Sequence, residues 1–208
     1  MKKIVVIVCI AFVAAAMLVS CGSKKPEKTI QNLKDAIAGE SMASAKYAAF
    51  AKAAREEGYA NVAKLFEATS KAEEIHVNNH KKVLEQLGET TEVTQDSIKI
   101  GTTAENLLVA IDGETYETST MYPEFVKTAG EEGVQDASTS FNFAMTAEQK
   151  HAGLYKEVLE TLNTVASDST VSAKWLVCPR CGDVYAGETT ITACNICGTP
   201  LESFIVVE

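Results

Sequence analysis

Residues 62–87 read VAKLFEATSKAEEIHVNNHKKVLEQL. Val62, Phe66, Thr69, Glu73, His76, Val83 and Leu87 recur at helical spacings, so one face of a predicted helix is apolar at both ends and carries a carboxylate and an imidazole in its middle. Glu73-x-x-His76 sets those two groups about one turn apart on that face. An ionised glutamate facing a helix core is strongly disfavoured unless another group compensates it.

The same signature returns once. Phe141, Ala144, Glu148, His151, Tyr155, Leu159 and Leu162 form a second interrupted stripe, with Glu148-x-x-His151 at its centre. Each pair is preceded by a Gly-Glu step: Gly39-Glu40 lies 33 residues before Glu73, and Gly113-Glu114 lies 34 residues before Glu148. Those steps fall in two further stripes. One is Ile30, Leu33, Ile37, Glu40, Ser44 and Tyr47; the other is Leu107, Ile111, Glu114, Glu117 or Thr118, and Met121, with a break or kink expected at Pro123. A tight turn at Glu56–Tyr59, a long polar crossover from Gly88 to Gly101 and a turn at Gly130–Gly133 join the four stretches. One long connection between two helical hairpins is ferritin-like wiring, so the expected class is mainly α, a ferritin-like four-helix bundle over residues 29–165.

Glu40, Glu73, Glu114 and Glu148 bring four negative charges to one core layer, which two divalent ions would neutralise. Mixed oxygen and imidazole donors suit iron, manganese or zinc better than calcium or magnesium. The bland reading is that Glu-x-x-His lies on a solvated face; two copies placed by an internal repeat, using two of three histidines, argue against it. His80, one turn past His76, is expected to be a flanking or surface residue. Tyr47 and Tyr122 fall near the layer, either as core residues or as donors to a metal-bound glutamate. Glu117 is a fifth carboxylate, available to move toward the metals when they are oxidised.

A Ser/Thr/Ala stretch at 166–173, expected to be a flexible linker, leads to residues 174–208. There Cys178-Pro-Arg-Cys181-Gly182 and Cys194-Asn-Ile-Cys197-Gly198 form two knuckles, a strong signal for one tetrahedral thiolate site. Spacing alone leaves a zinc ribbon ahead of iron, with disulfide pairing a weaker option. Trp175, Tyr185 and Phe204 are candidates for a small aromatic core around it.

Residues 1–20 form a separate unit. Lys2 and Lys3 precede an apolar run from Ile4 to Val19, short of the roughly 20 residues that span a bilayer as a helix. The Leu18-Val19-Ser20-Cys21 end resembles a bacterial lipoprotein cleavage box, which implies lipidation at Cys21, a tether over 21–28 and an exported domain anchored to a bacterial membrane. The formal charge of −9 argues against nucleic acid as a partner, because phosphate binding needs basic patches.

From Thr29 to the C-terminus the chain resembles rubrerythrin. The matches are Gly39-Glu40 with Tyr47, Glu73-x-x-His76, Gly113-Glu-Thr-Tyr-Glu117 running into Met121-Tyr-Pro-Glu-Phe125, Glu148-x-x-His151, and a rubredoxin-like tail from Lys174-Trp175 to Phe204. The resemblance implies that Glu40, Glu73, His76, Glu114, Glu117, Glu148 and His151 ligate a non-haem di-iron centre, with His76 and Glu117 exchanging on one iron. It implies that Cys178, Cys181, Cys194 and Cys197 bind a single iron, for which zinc is the substitute, and that Tyr47 and Tyr122 belong to the catalytic site. The activity implied is reduction of hydrogen peroxide to water with electrons from an unidentified donor, in a homodimer or higher oligomer where one subunit's knuckle approaches another's di-iron site. A ferroxidase or iron-binding ferritin-like protein, and a non-enzymatic scaffold bearing a zinc ribbon, are the alternatives. Asn195 stands where rubredoxins commonly have proline, which bears on potential more than on binding.

Overall fold

The computed structural model describes residues 24–94 and 96–208; Cys9, Cys21 and the lipoprotein-type leader lie outside them. The chain forms helices α1 (Glu27–Glu56), α2 (Ala60–Gln86), α3 (Thr103–Tyr116), α4 (Tyr122–Glu131) and α5 (Gln135–Val165). A π-helical turn, Glu117–Met121, joins α3 to α4. The rod therefore does not break at Pro123. Proline sits in the first turn of α4, and the missing N–H is absorbed by a widened ladder in which the Tyr122 amide reaches back to the Glu117 carbonyl. The extra residue in that turn brings Glu114 and Tyr122 both to the interior, where each is buried.

α1 pairs with α2, and the α3–α4 rod pairs with α5; the crossover between them runs through 87–102. Gly58, at φ +90°, closes α1 by letting the Tyr59 amide bond the Ala54 carbonyl at 2.8 Å. Carboxylates remote in sequence cap two helix starts. Glu132 accepts from the Thr29 amide at 2.8 Å, and Asp168 accepts from the Asn61 amide at 2.6 Å. α3 carries its own capping box between Thr102 and Glu105.

Two apolar clusters fill the bundle. One contains Phe50, Leu65, Phe66, Leu107 and Tyr155. The other contains Leu33, Ile37, Leu84, Tyr122 and Phe141. Each fully buried large apolar side chain contributes roughly 1.5–3 kcal/mol, so each cluster supports the bundle independently of the layer between them. That layer holds the glutamates and histidines.

The C-terminal module is a three-stranded antiparallel sheet in the order β2-β1-β3, with β1 Trp175–Val177, β2 Val184–Ala186 and β3 Ile205–Val207. Trp175 faces the bundle cluster, not the knuckle interior; Tyr185 and Phe204 pack near the cysteines with Phe143 of α5. The 166–173 segment is not free either: Asp168 is fixed to the start of α2, and Lys64 donates to the Ala173 carbonyl at 3.0 Å. The module sits against the bundle of its own chain.

Candidate metal centres

Glu40, Glu73, His76, Glu114, Glu148 and His151 are each at most 1% exposed. The helical period carries all six into the middle layer, and the repeat makes the two halves face each other. Donor atoms of Glu40, Glu73, His76 and Glu148 lie within 4.8 Å of one another, as do those of Glu73, Glu114, Glu148 and His151. Glu73 and Glu148 belong to both groups, so two ions could share them as bridges while Glu40 with His76, and Glu114 with His151, complete the separate sides.

The hydrogen bonding fits cations. One oxygen of each glutamate (Glu40 Oε2, Glu73 Oε1, Glu114 Oε2 and Glu148 Oε1) is buried without a hydrogen-bond partner, an arrangement that is costly unless a metal completes it. His76 Nε2 lies 2.9 Å from the Cys181 carbonyl, and His151 Nε2 lies 3.1 Å from the Gly182 carbonyl. A carbonyl only accepts, so both Nε2 atoms carry the proton and both neutral rings turn the Nδ1 lone pair toward the carboxylates. His76 Nδ1 is 2.9 Å from Glu73 Oε2 and 2.7 Å from Glu148 Oε1; His151 Nδ1 is 2.7 Å from Glu148 Oε2. Lone pairs facing anions need a cation between them, either a metal or, without it, a second proton on the ring.

Titration follows the same logic. Burial, followed by the neighbouring carboxylates, raises Glu40, Glu114 and Glu148 well above the usual range. Burial also works against Glu73, but hydrogen bonds from His151 and His76 pull it down to about 2. Burial alone would lower His76, yet the Glu73 carboxylate carries it up to about 9.

Glu117, half-buried, stands outside both donor groups; burial, then the charges of Glu114 and Glu73, raises it. Tyr47 donates to Glu114 Oε1 at 2.6 Å, and Tyr122 donates to Glu40 Oε1. His80 corrects the surface expectation: it is fully buried, with Nε2 at 3.1 Å from the Tyr122 hydroxyl and Nδ1 at 2.8 Å from Ser140 Oγ. Its i+4 spacing from His76 was the available signal, since it puts both rings on one face.

In the second site the four cysteines are unpaired and their sulfurs lie within 4.8 Å of one another. Cys178–Cys197 and Cys181–Cys194 are each 3.4 Å apart, far beyond a disulfide of about 2.05 Å. They approach the edge of a thiolate tetrahedron with metal–sulfur bonds of about 2.3 Å. A hydrogen bond from Cys181 lowers Cys178 to about 5, while Cys181 itself is raised, so a full set of thiolates calls for a central cation. Asp183, fully buried beside them, accepts from Lys150 at 2.6 Å; neither residue stood out in the sequence.

The two sites touch through the knuckle's backbone. Gly182, at φ +77°, lies so close that a Cβ there would run into His76 Nε2 and the Ala72 carbonyl. Asn79 adds a bond to the Arg180 carbonyl at 2.9 Å.

Residues 31–159 match the family model described as Rubrerythrin. Nigerythrin from Nitratidesulfovibrio vulgaris is 40% identical over 177 residues, 85% of this chain and 85% of that protein. Rubrerythrin from Porphyromonas gingivalis is 34% identical over 185 residues, 88% of this chain and 91% of that one. The structure of fully reduced, all-ferrous nigerythrin matches with a TM-score of 0.78 at 38% identity, covering 93% of this chain and 91% of its own. The cofactors that fit these donor sets are a non-haem di-iron centre in the bundle and a rubredoxin-type iron among the four cysteines. With the buried Glu-x-x-His repeat, the four-cysteine knuckle and these relatives in agreement, the chain belongs to the rubrerythrin family.

Proposed function

We propose that the protein is a peroxidase that reduces hydrogen peroxide to water, with electrons delivered through the rubredoxin-type iron from a separate donor. The contact between the two ligand sets carries this reading. Cys181 belongs to one set and His76 to the other, and a single N–H···O=C bond of 2.9 Å joins them. His151 repeats the contact at Gly182. A protein that only stored iron would have no use for that junction.

In this reading Glu40, Glu73, His76 and Glu148 hold one iron, and Glu73, Glu114, Glu148 and His151 the other. Cys178, Cys181, Cys194 and Cys197 hold the third. A reduced di-iron pair supplies the two electrons that cleavage of an O–O bond consumes, while two protons from solvent complete two waters. The chain's own part is positioning. Tyr47 and Tyr122 fix the rotamers of Glu114 and Glu40, and the two apolar clusters keep bulk water from the layer. Glu117, one turn past Glu114, is the carboxylate placed to exchange with His76.

Anaerobically reduced protein, mixed rapidly with peroxide or with dioxygen, tests the proposal. Three irons per chain and faster oxidation by peroxide are expected. Preference for dioxygen with accumulation of ferric iron would make the protein a ferroxidase. A single zinc and a bundle that takes up no iron would make it a scaffold.

We also propose export and lipid anchoring through Cys21, on the strength of Lys2-Lys3, the apolar Ile4–Val19 run and the Leu-Val-Ser-Cys end. More than one acyl chain is needed for stable attachment. Among the described residues no helix is long and apolar enough to cross a membrane. Membrane fractionation of the wild type and of Cys21→Ala tests this; equal release of both into the soluble fraction would remove the anchor.

A further inference from the structure

We propose that His80, oriented by Ser140, is a positioning residue of the di-iron centre: by donating to the Tyr122 oxygen, it commits the single phenolic proton to Glu40. The inference rests on the di-iron reading of the bundle but not on peroxide as substrate.

Counting protons fixes the direction of each bond. Tyr122 has one hydroxyl proton and two close partners, Glu40 Oε1 and His80 Nε2. With a cation compensating it at Oε2, Glu40 is a carboxylate, and its oxygen nearest the phenol takes that proton. The 3.1 Å contact to His80 is then satisfied only if Nε2 is the donor. A neutral ring with its proton on Nε2 has a lone pair on Nδ1, and Ser140 Oγ, 2.8 Å away, supplies a hydroxyl to fill it. The resulting order is Ser140 O–H to Nδ1, Nε2–H to Tyr122 O, and Tyr122 O–H to Glu40. No member has to ionise in the resting protein. Burial, reinforced by the nearby His76, holds His80 down to about 3, so the ring stays neutral. Phe141, with its ring centroid 5.2 Å from that of His80, and Phe125, 5.4 Å from Phe141, wall the chain off from water that could scramble the order.

Glu40 thereby divides its two oxygens. Oε1 receives Tyr122, and Oε2 is the unpartnered oxygen in the metal layer. A hydrogen bond into a carboxylate ligand withdraws electron density from it, which disfavours ferric relative to ferrous iron. The donor order set at Ser140 therefore reaches the metal pair through two side chains that are not themselves ligands.

Two measurements test it. In 15N-histidine NMR of the protein loaded with diamagnetic zinc, which keeps Glu40 ionised, the His80 signals should show protonated Nε2 and bare Nδ1; the opposite tautomer in the wild type would overturn the proposal. Ser140→Asp places an acceptor at Nδ1, which should move the ring proton there and turn Nε2 into a competitor for the Tyr122 proton. The di-iron midpoint potential should then fall by an amount equivalent to about tenfold, or about 59 mV for one electron. The four-thiolate iron serves as the unmoved internal reference. Placing Ser140→Asp on a Tyr122→Phe background separates this path from direct electrostatics: the shift should vanish there, and a shift that persists refutes transmission through Tyr122. Because a buried aspartate could prevent folding, His80→Phe and His80→Gln provide a second arm. Phenylalanine fits the aromatic surroundings but removes the donor that polarises the Tyr122 hydroxyl toward Glu40, so the potential should fall by about twofold in equilibrium terms, and glutamine, which restores an N–H, should recover it. Equal potentials in wild type and His80→Phe would also sink the proposal. Failure of the wild type to react with peroxide would overturn the peroxidase reading and leave both arms intact.

Discussion

The carboxylate layer and the four-cysteine knuckle solve the same problem in opposite ways. In the bundle all six donors of the two groups sit on long helices, between two apolar clusters that exist whether or not a metal is bound. The fold makes that site. In the knuckle the donors sit on turns between strands of three residues, and the local cluster is small: the cysteines, Leu176 and Phe204, flanked by the half-buried Tyr185, Ile191, Ile196 and Leu201 and by Phe143 lent by α5. There the metal itself is the centre of the core. The first site is therefore preformed at an electrostatic penalty, whereas the order of the second should depend on its ion.

Metal removal should give the largest effect. Under reducing conditions, a chelator should abolish amide-exchange protection across Trp175–Val207 while α1, α2 and α5 keep theirs. Binding free energies of small thiolate modules, on the order of 10 kcal/mol, set the scale. Simultaneous loss of helical circular dichroism would break the contrast between the two regions.

The metal-free bundle should also carry a pH signature. Glu40, Glu114 and Glu148 are raised above the usual carboxylate range, so their contributions are fully present below about pH 4.5 and are lost as pH rises through the raised values. His76 adds stability that is complete below its usual 6.5 and disappears as pH rises through about 9. Glu73 works the other way, contributing above 4.5 and losing that contribution as pH falls toward about 2. The melting temperature of the metal-free bundle should thus fall between about pH 5 and about pH 9, whereas the loaded bundle should hold nearly constant. Glu148→Gln sharpens the same point. At alkaline pH, where Glu148 is ionised, it removes one buried charge from the metal-free layer and should stabilise it by about 1–3 kcal/mol, yet it should weaken both ions in the loaded protein because Glu148 belongs to both donor groups. Destabilisation of the metal-free form would mean that the layer is not strained by its own charge.

The contrast also explains what could be read from sequence. Glu73-x-x-His76 and Glu148-x-x-His151 were legible because helical period converts spacing into a shared face, and the repeat shows that the faces converge. The cysteine knuckles were legible because ligand spacing alone defines a tetrahedral site. What escaped were contacts whose partners arrive from elsewhere in the chain. The burial of His80 depends on Ser140 and Tyr122 arriving from two other helices. The break or kink expected at Pro123 became a π turn, in which the Tyr122 amide reaches back five residues to the Glu117 carbonyl. The 166–173 segment reads as a flexible linker from composition, but Asp168 finds the open amides of α2 and fixes it. Backbone carbonyls such as those of Cys181 and Gly182 have no side-chain signature, and these form the junction between the sites.

That junction provides the next test. Gly182→Ala imposes a positive-φ penalty of about 1–2 kcal/mol and sets a methyl group against His76 and the Ala72 carbonyl. The methyl meets His76 at Nε2, on the far side of the ring from the Nδ1 that faces the metal layer, so all three irons should remain, while re-reduction of the di-iron pair by the knuckle iron should slow at least tenfold in stopped-flow traces. An unchanged rate would show that electrons do not cross where the two ligand sets meet.

The smallest effect belongs to Lys150. Its side chain is 35% exposed while Asp183 is fully buried, and their ion pair of 2.6 Å ties α5 to the knuckle beside Cys194. Lys150→Met leaves the Asp183 carboxylate without that cation. Because the lysine is partly solvated, the loss should be only about 1 kcal/mol, well below that of a fully buried pair. The uncompensated negative charge should favour the ferric form of the knuckle iron and lower its midpoint potential, while the di-iron pair, one module away, should shift less. If both centres moved equally, Asp183 would act as a general field on the whole protein, and the division between a site made by the fold and a site that makes its own fold would not extend to their electrostatics.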